Sequence, residues 1–221
     1  MRGRYVNLQD LGNDNIVNVP TGFDKVAIKI RGNRNHVDLS QCSAAKINDV
    51  NIMIEGDDCS LRIGDVRRLG RLRLVLKDGG KIEVSDMTSI EEAYLLATNR
   101  QSITIGKDCM VSFQVTMRTT DAHGIYDLSS GDLTNPPGPI TLGDHVWVGQ
   151  GAMLSTNTKL NKNCIVGARS YVRNIDADRN CIVAGVPAKR IKENIIWDRR
   201  MADNFRLPGA NVDPQFYQWM D

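Results

Sequence analysis

Aliphatic residues recur every six positions at Leu142, Val148, Leu154, Leu160, Val166 and Val172. Six is the period of neither an α-helix nor a simple strand, so this spacing limits the fold more than any other property of the chain. Two places before five of these positions stand mostly small residues, Val146, Ala152, Thr158, Cys164 and Ser170. The double pattern predicts a parallel β-helix built of hexapeptides. About a quarter of the residues are Ile, Leu or Val, so six hits in one frame arise by chance about once in several thousand starts.

The first third repeats more loosely. Gly12-Asn-Asp-Asn15, Gly32-Asn-Arg-Asn35 and Gly56-Asp-Asp-Cys59 each precede a short alternating segment, as a turn precedes a strand. Gly and Asn tolerate the positive φ of a tight corner, so these read as degenerate coils of the same solenoid. Leu69–Leu76 and Ile82–Val84 continue the strands, with Lys77-Asp-Gly-Gly80 turning between them. Glu91, Glu92, Ala93 and Leu95 favour a helix locally, but a helix would interrupt the stack, so residues 90–97 are expected to be a strand.

Ile105, Val111 and Met117 share one frame, which then breaks. From Thr120 to Pro139 there are three glycines, three prolines and no period, before the pattern resumes at Ile140. An interruption of this kind predicts a loop thrown out from the wall, where function tends to sit. Residues 1–189 are therefore expected to form one β-helix domain with an excursion loop at 120–139. Residues 190–221 are expected to begin as a short helix and continue as a tail that caps the open coil end or reaches another subunit, carrying Trp197, Phe205, Phe216, Tyr217 and Trp219.

The formal charge of +2, from 28 basic and 26 acidic residues, offers no polyanion-binding block and argues against nucleic acid. No apolar run approaches the roughly 20 residues that span a bilayer, and no leader pattern opens the chain, so a cytoplasmic location is expected. Five cysteines are an odd number without paired metal spacing. Four of them follow turn triplets, at Cys59, Cys109, Cys164 and Cys181, as small interior residues would, and buried thiols are expected.

His123 is the candidate for chemistry. It stands at the start of the excursion loop in Arg118-Thr-Thr-Asp-Ala-His123-Gly-Ile-Tyr-Asp127. An imidazole, with an ordinary pKa near ~6.5, can take a proton from a hydroxyl as that oxygen attacks a thioester. Asp121 and Asp127 are candidates to orient it. Trp147, in Gly143-Asp-His-Val-Trp147-Val-Gly149, either packs against a neighbour or aims its indole N–H, a pure donor, at a thioester or departing thiolate. Backbone N–H groups of the Gly149 turn are candidates to hold an oxyanion. His36 and His145 are expected to point outward at turns.

The loop motif, the Gly143–Gly149 turn and the Gly185-Val-Pro-Ala-Lys189 end together resemble the hexapeptide acyltransferases, most closely the branch that O-acetylates capsular and lipopolysaccharide sugars, including sialic acid capsules. The resemblance is best over residues 103–197. It implies an all-β left-handed parallel β-helix, an exception to the usual right-handed crossover. It also implies a homotrimer with acetyl-CoA along the C-terminal coils between neighbours. His123 matches the family's catalytic histidine and Trp147 an active-site tryptophan. Gln150, Ala168 and Arg173 fall where coenzyme A is contacted, and Lys189 and Lys192 where basic side chains meet its phosphates. Arg118, Asp121, Tyr126 and Asp127 lie on the acceptor or orienting side.

The implied reaction is acetyl transfer from acetyl-CoA to a hydroxyl of a bacterial surface polysaccharide or its precursor. It needs no metal and no covalent enzyme intermediate, since no serine or cysteine is placed as a nucleophile. The family's galactoside branch carries an asparagine on the coil before its histidine, and Ala93–Ala97 has none, which disfavours simple galactosides. N-acetylation of an amino nucleotide-sugar and a purely structural solenoid are the alternatives. A serine acetyltransferase is disfavoured by the lack of a helical N-terminal domain. The three histidines lack the spacing of the zinc carbonic anhydrases that share this solenoid.

Overall fold

In the computed structural model, which describes residues 7–199, the six-residue frame becomes a left-handed parallel β-helix of about 8 turns. Its walls are three faces. The first carries Met110–Val111, Trp147–Val148, Ile165–Val166 and Ile182–Gly185, the second Val115–Arg118, Met153–Leu154 and Tyr171–Val172. The third runs from Ile16–Asn18 through Ser60–Ile63, Lys81–Val84 and Ser102–Ile105 to Ile140–Leu142, Thr158–Leu160 and Ile175–Ala177. In the N-terminal half the long strands Ile47–Glu55, Arg68–Lys77 and Ser89–Ala97 run across the first two faces without a corner. Ser89–Ala97 shows the junction. Its Ile90 pairs with Val111 on the first face, and its Leu95 pairs with Met117 on the second. The helical propensity of residues 90–97 is thus overridden by pairing on both sides, as expected.

Each periodic position points inward. Val111, Val148, Val166 and Val183 lie in register and are all 0% exposed, and Met117, Leu154 and Val172 form a second such column. Full burial of one such side chain is worth about 1.5–3 kcal/mol, so the columns make a continuous core without any helix. The small residues before them, Val146, Ala152, Cys164 and Ser170, fill the corners of the prism, where a larger side chain would collide with its neighbours. All five cysteines are buried and free, as their turn positions suggested.

The corners themselves depend less on glycine than the motifs suggest. In the four turns that end in cysteine, the residue just before it is left-handed: Asp58, Asp108, Asn163 and Asn180 have φ of 59°, 51°, 63° and 61°. Short polar side chains bear that conformation at modest cost. Asn35, 1% exposed, ties three coils together. It donates to the Gly56 carbonyl and to Asn15, and accepts from the Cys59 amide.

Among the described residues, the helix expected to begin at residue 190 is absent. Ala188–Lys192 is a strand running antiparallel to Ile182–Gly185, so the chain doubles back on its last coil and covers an edge that a helix would leave open. The cap or arm read into residues 200–221 lies outside the described residues. No helix of the described residues is long and apolar enough to cross a membrane.

Candidate active site

The excursion loop leaves the wall after Arg118 and returns at Gly138, whose amide bonds the Thr119 carbonyl at 3.0 Å and closes a neck. Gly138 is required there, because a Cβ would lie 2.0 Å from Asn157 Oδ1 and 2.9 Å from the Asn157 amide. The distal part is a small hairpin held by the Tyr126–Leu133 bridge. Asp127 builds its turn. Its carboxylate accepts the Ser129 hydroxyl and the amides of Ser129 and Ser130, which together pull its pKa down to about 2.

Asn135, 6% exposed, holds the loop base. Its Nδ2 donates to the His123 carbonyl (2.9 Å) and to Asp121 Oδ2 (3.1 Å), and its Oδ1 accepts the Ile125 amide (2.7 Å). One buried side chain therefore fixes the backbone on both sides of Gly124. Asp121 Oδ2 also accepts Arg173 Nη1 at 2.8 Å, which ties this base to the C-terminal coils. Burial works against the Asp121 charge, but the hydrogen bonds from Asn135 and Arg173 outweigh it and hold the carboxyl below its usual range. The His123 ring itself is exposed, and no side chain among the described residues hydrogen bonds to it. Asp121 and Asp127 thus do not orient the imidazole as expected. They shape the loop that carries it, and Asn135 places its backbone.

Arg173 was expected at coenzyme A; its Nη1 is taken by Asp121, and the Tyr171 hydroxyl and Asp121 raise its pKa. Half-buried Arg118 ends the strand leading into the loop and lowers the Asp121 pKa through its charge. Tyr126 is exposed on the hairpin, 63% accessible.

Trp147 stands on the first face with its indole outward and 36% exposed, between Met110 and Ile165 in register. At the next corner Gln150 and Ala168, both exposed, occupy adjacent coils joined by the Arg169 amide to the Gln150 carbonyl (2.8 Å). Gly149 permits that approach, since a Cβ would meet the Ala168 nitrogen at 2.7 Å. The Gly149 amide is spent on the Val166 carbonyl, and those of Gly151 and Ala152 on Phe113 and Gly149. The Gln150 amide is the N–H of this turn that has no partner among the described residues. Lys189 and Lys192 project from the returning strand, both exposed, while Arg190 between them is paired with Asp178 and Glu193.

His145 departs most from expectation. It is 3% exposed, with Nδ1 2.9 Å from Asp108 and its ring stacked on Trp197 at 4.0 Å and 10°. His36 is exposed, as expected. The thiols are inert by environment, since burial pushes Cys42, Cys109 and Cys164 up to about 12.

No family model matches the chain. Over 193 residues it is 31% identical to a polysialic acid O-acetyltransferase of Neisseria meningitidis, covering 86% of this chain and 88% of that one. A polysialic acid O-acetyltransferase from Escherichia coli O1:K1 is 32% identical over 126 residues, 57% of this chain and 41% of the other. The solved polysialic acid O-acetyltransferase OatWY superposes with a TM-score of 0.66 at 26% identity, over 97% of this chain and 94% of that one. The polysialic acid-specific acetyltransferase NeuO has the same fold, with a TM-score of 0.74 at 24% identity over 90% and 84% of the two chains. A solenoid with this repeat, this loop and these relatives belongs to the hexapeptide-repeat acetyltransferases, in their capsular O-acetyltransferase branch.

Proposed function

We propose that the protein moves the acetyl group of acetyl-CoA to a sugar hydroxyl of a bacterial surface polysaccharide or its precursor, with a sialic acid polymer as the first acceptor to test. The activity of the relatives supports the acceptor class. One observation carries the chemistry: an exposed histidine, its ring free of other side chains, on a backbone fixed by the buried Asn135. In this reading the acceptor oxygen bonds to the thioester carbonyl carbon while its proton passes to the His123 ring. The carbon–sulfur bond then breaks, and the coenzyme A thiolate takes that proton. The Trp147 N–H faces the sulfur, and the Gln150 amide is the turn's available donor for the carbonyl oxygen.

Lys189 and Lys192 serve the coenzyme phosphates, with Gln150 and Ala168 along its arm. Direct transfer is supported by the burial of all five thiols, with burial raising the pKa of Cys109 and Cys164 to about 12, which disfavours a cysteine acyl-enzyme at neutral pH. The site is completed between chains of a homotrimer, and the reaction runs in the cytoplasm, where acetyl-CoA is held. The test is thiol release from acetyl-CoA with polysialic acid as acceptor, by wild type and His123→Ala. The reading expects acceptor-dependent release that falls by at least about 10²-fold in the variant. Equal release by both proteins, or none with any surface glycan, would sink it.

A further inference from the structure

The chain does not stop contributing to the wall where the solenoid ends. Beyond Lys192 it crosses the last corner, pinned by the Ile195 amide to the Asn180 carbonyl (3.1 Å) and by Asn180 Nδ2 to the Ile195 carbonyl (3.1 Å). It then delivers Trp197, 5% exposed, onto the first face. Trp197 and His145 are locked reciprocally. The indole Nε1 donates to the His145 carbonyl at 2.7 Å, and His145 Nε2 lies 3.1 Å from the Trp197 carbonyl. Behind them Asp108 holds His145 Nδ1, and Arg199 holds Asp108 Oδ1 at 2.9 Å. Arg199 also reaches Ser89 Oγ and the carbonyls of Asp108 and Cys109, with its guanidinium 5.6 Å from the Trp197 ring centre.

All of this lies beside Trp147. The Trp147 and Trp197 ring centres are 6.0 Å apart at 46°, within the range of a tilted aromatic pair. Trp147 comes from a two-residue strand on an exposed face, and Met110 and Ile165 flank it along the wall. An indole with that much open surface has alternative rotamers, and the buried Trp197 ring beside it favours the one that keeps the two rings in contact. We propose that Trp197 is a positioning residue for Trp147, and that the His145–Asp108–Arg199 chain exists to hold it there. This rests on the reading of Trp147 as facing the thioester. It makes the segment from Ile195 to Arg199 part of the active-site wall, acting through Trp147.

The test compares Trp147→Phe, Trp197→Phe and the double variant in the full chain. Two readouts are taken: kcat and KM for acetyl-CoA, and the circular-dichroism couplet that two close indoles produce without substrate. The expected result is loss of the couplet in both single variants and a fall in kcat of about 10- to 100-fold in Trp197→Phe, the size of an ångström-scale misplacement. In the Trp147→Phe background the second substitution should then change nothing. Independent, multiplying losses, or an unaltered couplet and kcat in Trp197→Phe, would overturn the positioning role. If the couplet disappears but Trp147→Phe transfers acetyl at the wild-type rate, the reading of Trp147 fails and the inference with it. Should Trp197→Phe melt, Arg199→Ala loosens the same segment from a half-buried position. A wild-type couplet and kcat in that variant would equally overturn the proposal.

Discussion

Arg173 on the second face and Asp121 at the base of the excursion loop meet at 2.8 Å, although 52 residues separate them in sequence. Their side chains are 24% and 29% exposed, so the pair is partly shielded, yet its net stabilisation is of the order of 1 kcal/mol or less. Its importance is geometric. Arg173→Ala is expected to lower the melting temperature by only a few degrees and to reduce kcat about tenfold, because the loop carrying His123 loses its tie to the coils. Melting curves beside steady-state kinetics separate the two effects, and an equal kcat in wild type and variant would remove Arg173 from the site.

The same pair sets a pH window. Asp121 has a folded pKa below its unfolded value near ~3.9, so its contribution is fully present above about pH 4 and is lost as pH falls through the lower, folded value. Hydrogen exchange in residues 120–139, corrected for the intrinsic rate, should stay slow from pH 8 to pH 5 and quicken only below about pH 4. Loss of protection near neutrality would assign the loop's anchoring to another group.

Asn135 offers the sharpest substitution. In Asn135→Ala the part-buried hydrogen bonds to the His123 carbonyl and from the Ile125 amide are lost, at about 0.5–1.5 kcal/mol each because water can reach both groups. Urea unfolding should shift accordingly, and kcat should fall about 10- to 100-fold. Asn135→Asp keeps an acceptor for Ile125 but has no donor for His123 or Asp121, so it should not rescue. Rescue by aspartate would mean that the Ile125 bond alone matters.

The repeat was readable from Leu142 to Val172 because an inward position in a solenoid depends only on its own coil and the two beside it. The buried state of His145 is illegible for the opposite reason. Its partners are Asp108 on the preceding coil and Trp197, 52 residues further on in a stretch without period, and nothing local distinguishes it from a solvated corner residue. The role of Asn135 is hidden in the same way, since an asparagine before two prolines reads as turn chemistry. Residues 188–192 carry no strand alternation, and their pairing with Ile182–Gly185 is decided by the edge they cover. His123 and Trp147 are candidates through the motifs around them; the groups that surround each in the fold carry no local signal.

Thiol chemistry gives an independent check on direct transfer. Cys109 and Cys164, both 0% exposed with pKa values near 12, should resist iodoacetamide at pH 8, and treated enzyme should keep its full rate. Inactivation that acetyl-CoA prevents would point to an acyl-cysteine route.

Site sharing between chains can be read from mixed assemblies. If His123 of one chain works with Trp147 of its neighbour, His123→Ala and Trp147→Ala chains, each inactive alone, should regain a fraction of wild-type activity when co-expressed. No recovery in oligomers shown by mass to contain both chains would place the whole site within one chain.

The clasp between the Gly138 amide and the Thr119 carbonyl has a consequence for descent. Ile103 faces Ile140 and Ile105 faces Leu142 as if nothing intervened, so the length of the hairpin beyond the clasp and the Asp121–Arg173 tie leaves the pairing of these rungs unchanged. Doubling the length of such a segment costs only about 0.6 kcal/mol in closure entropy. A lineage built on this scaffold can exchange the distal hairpin like a cartridge while its solenoid is inherited intact.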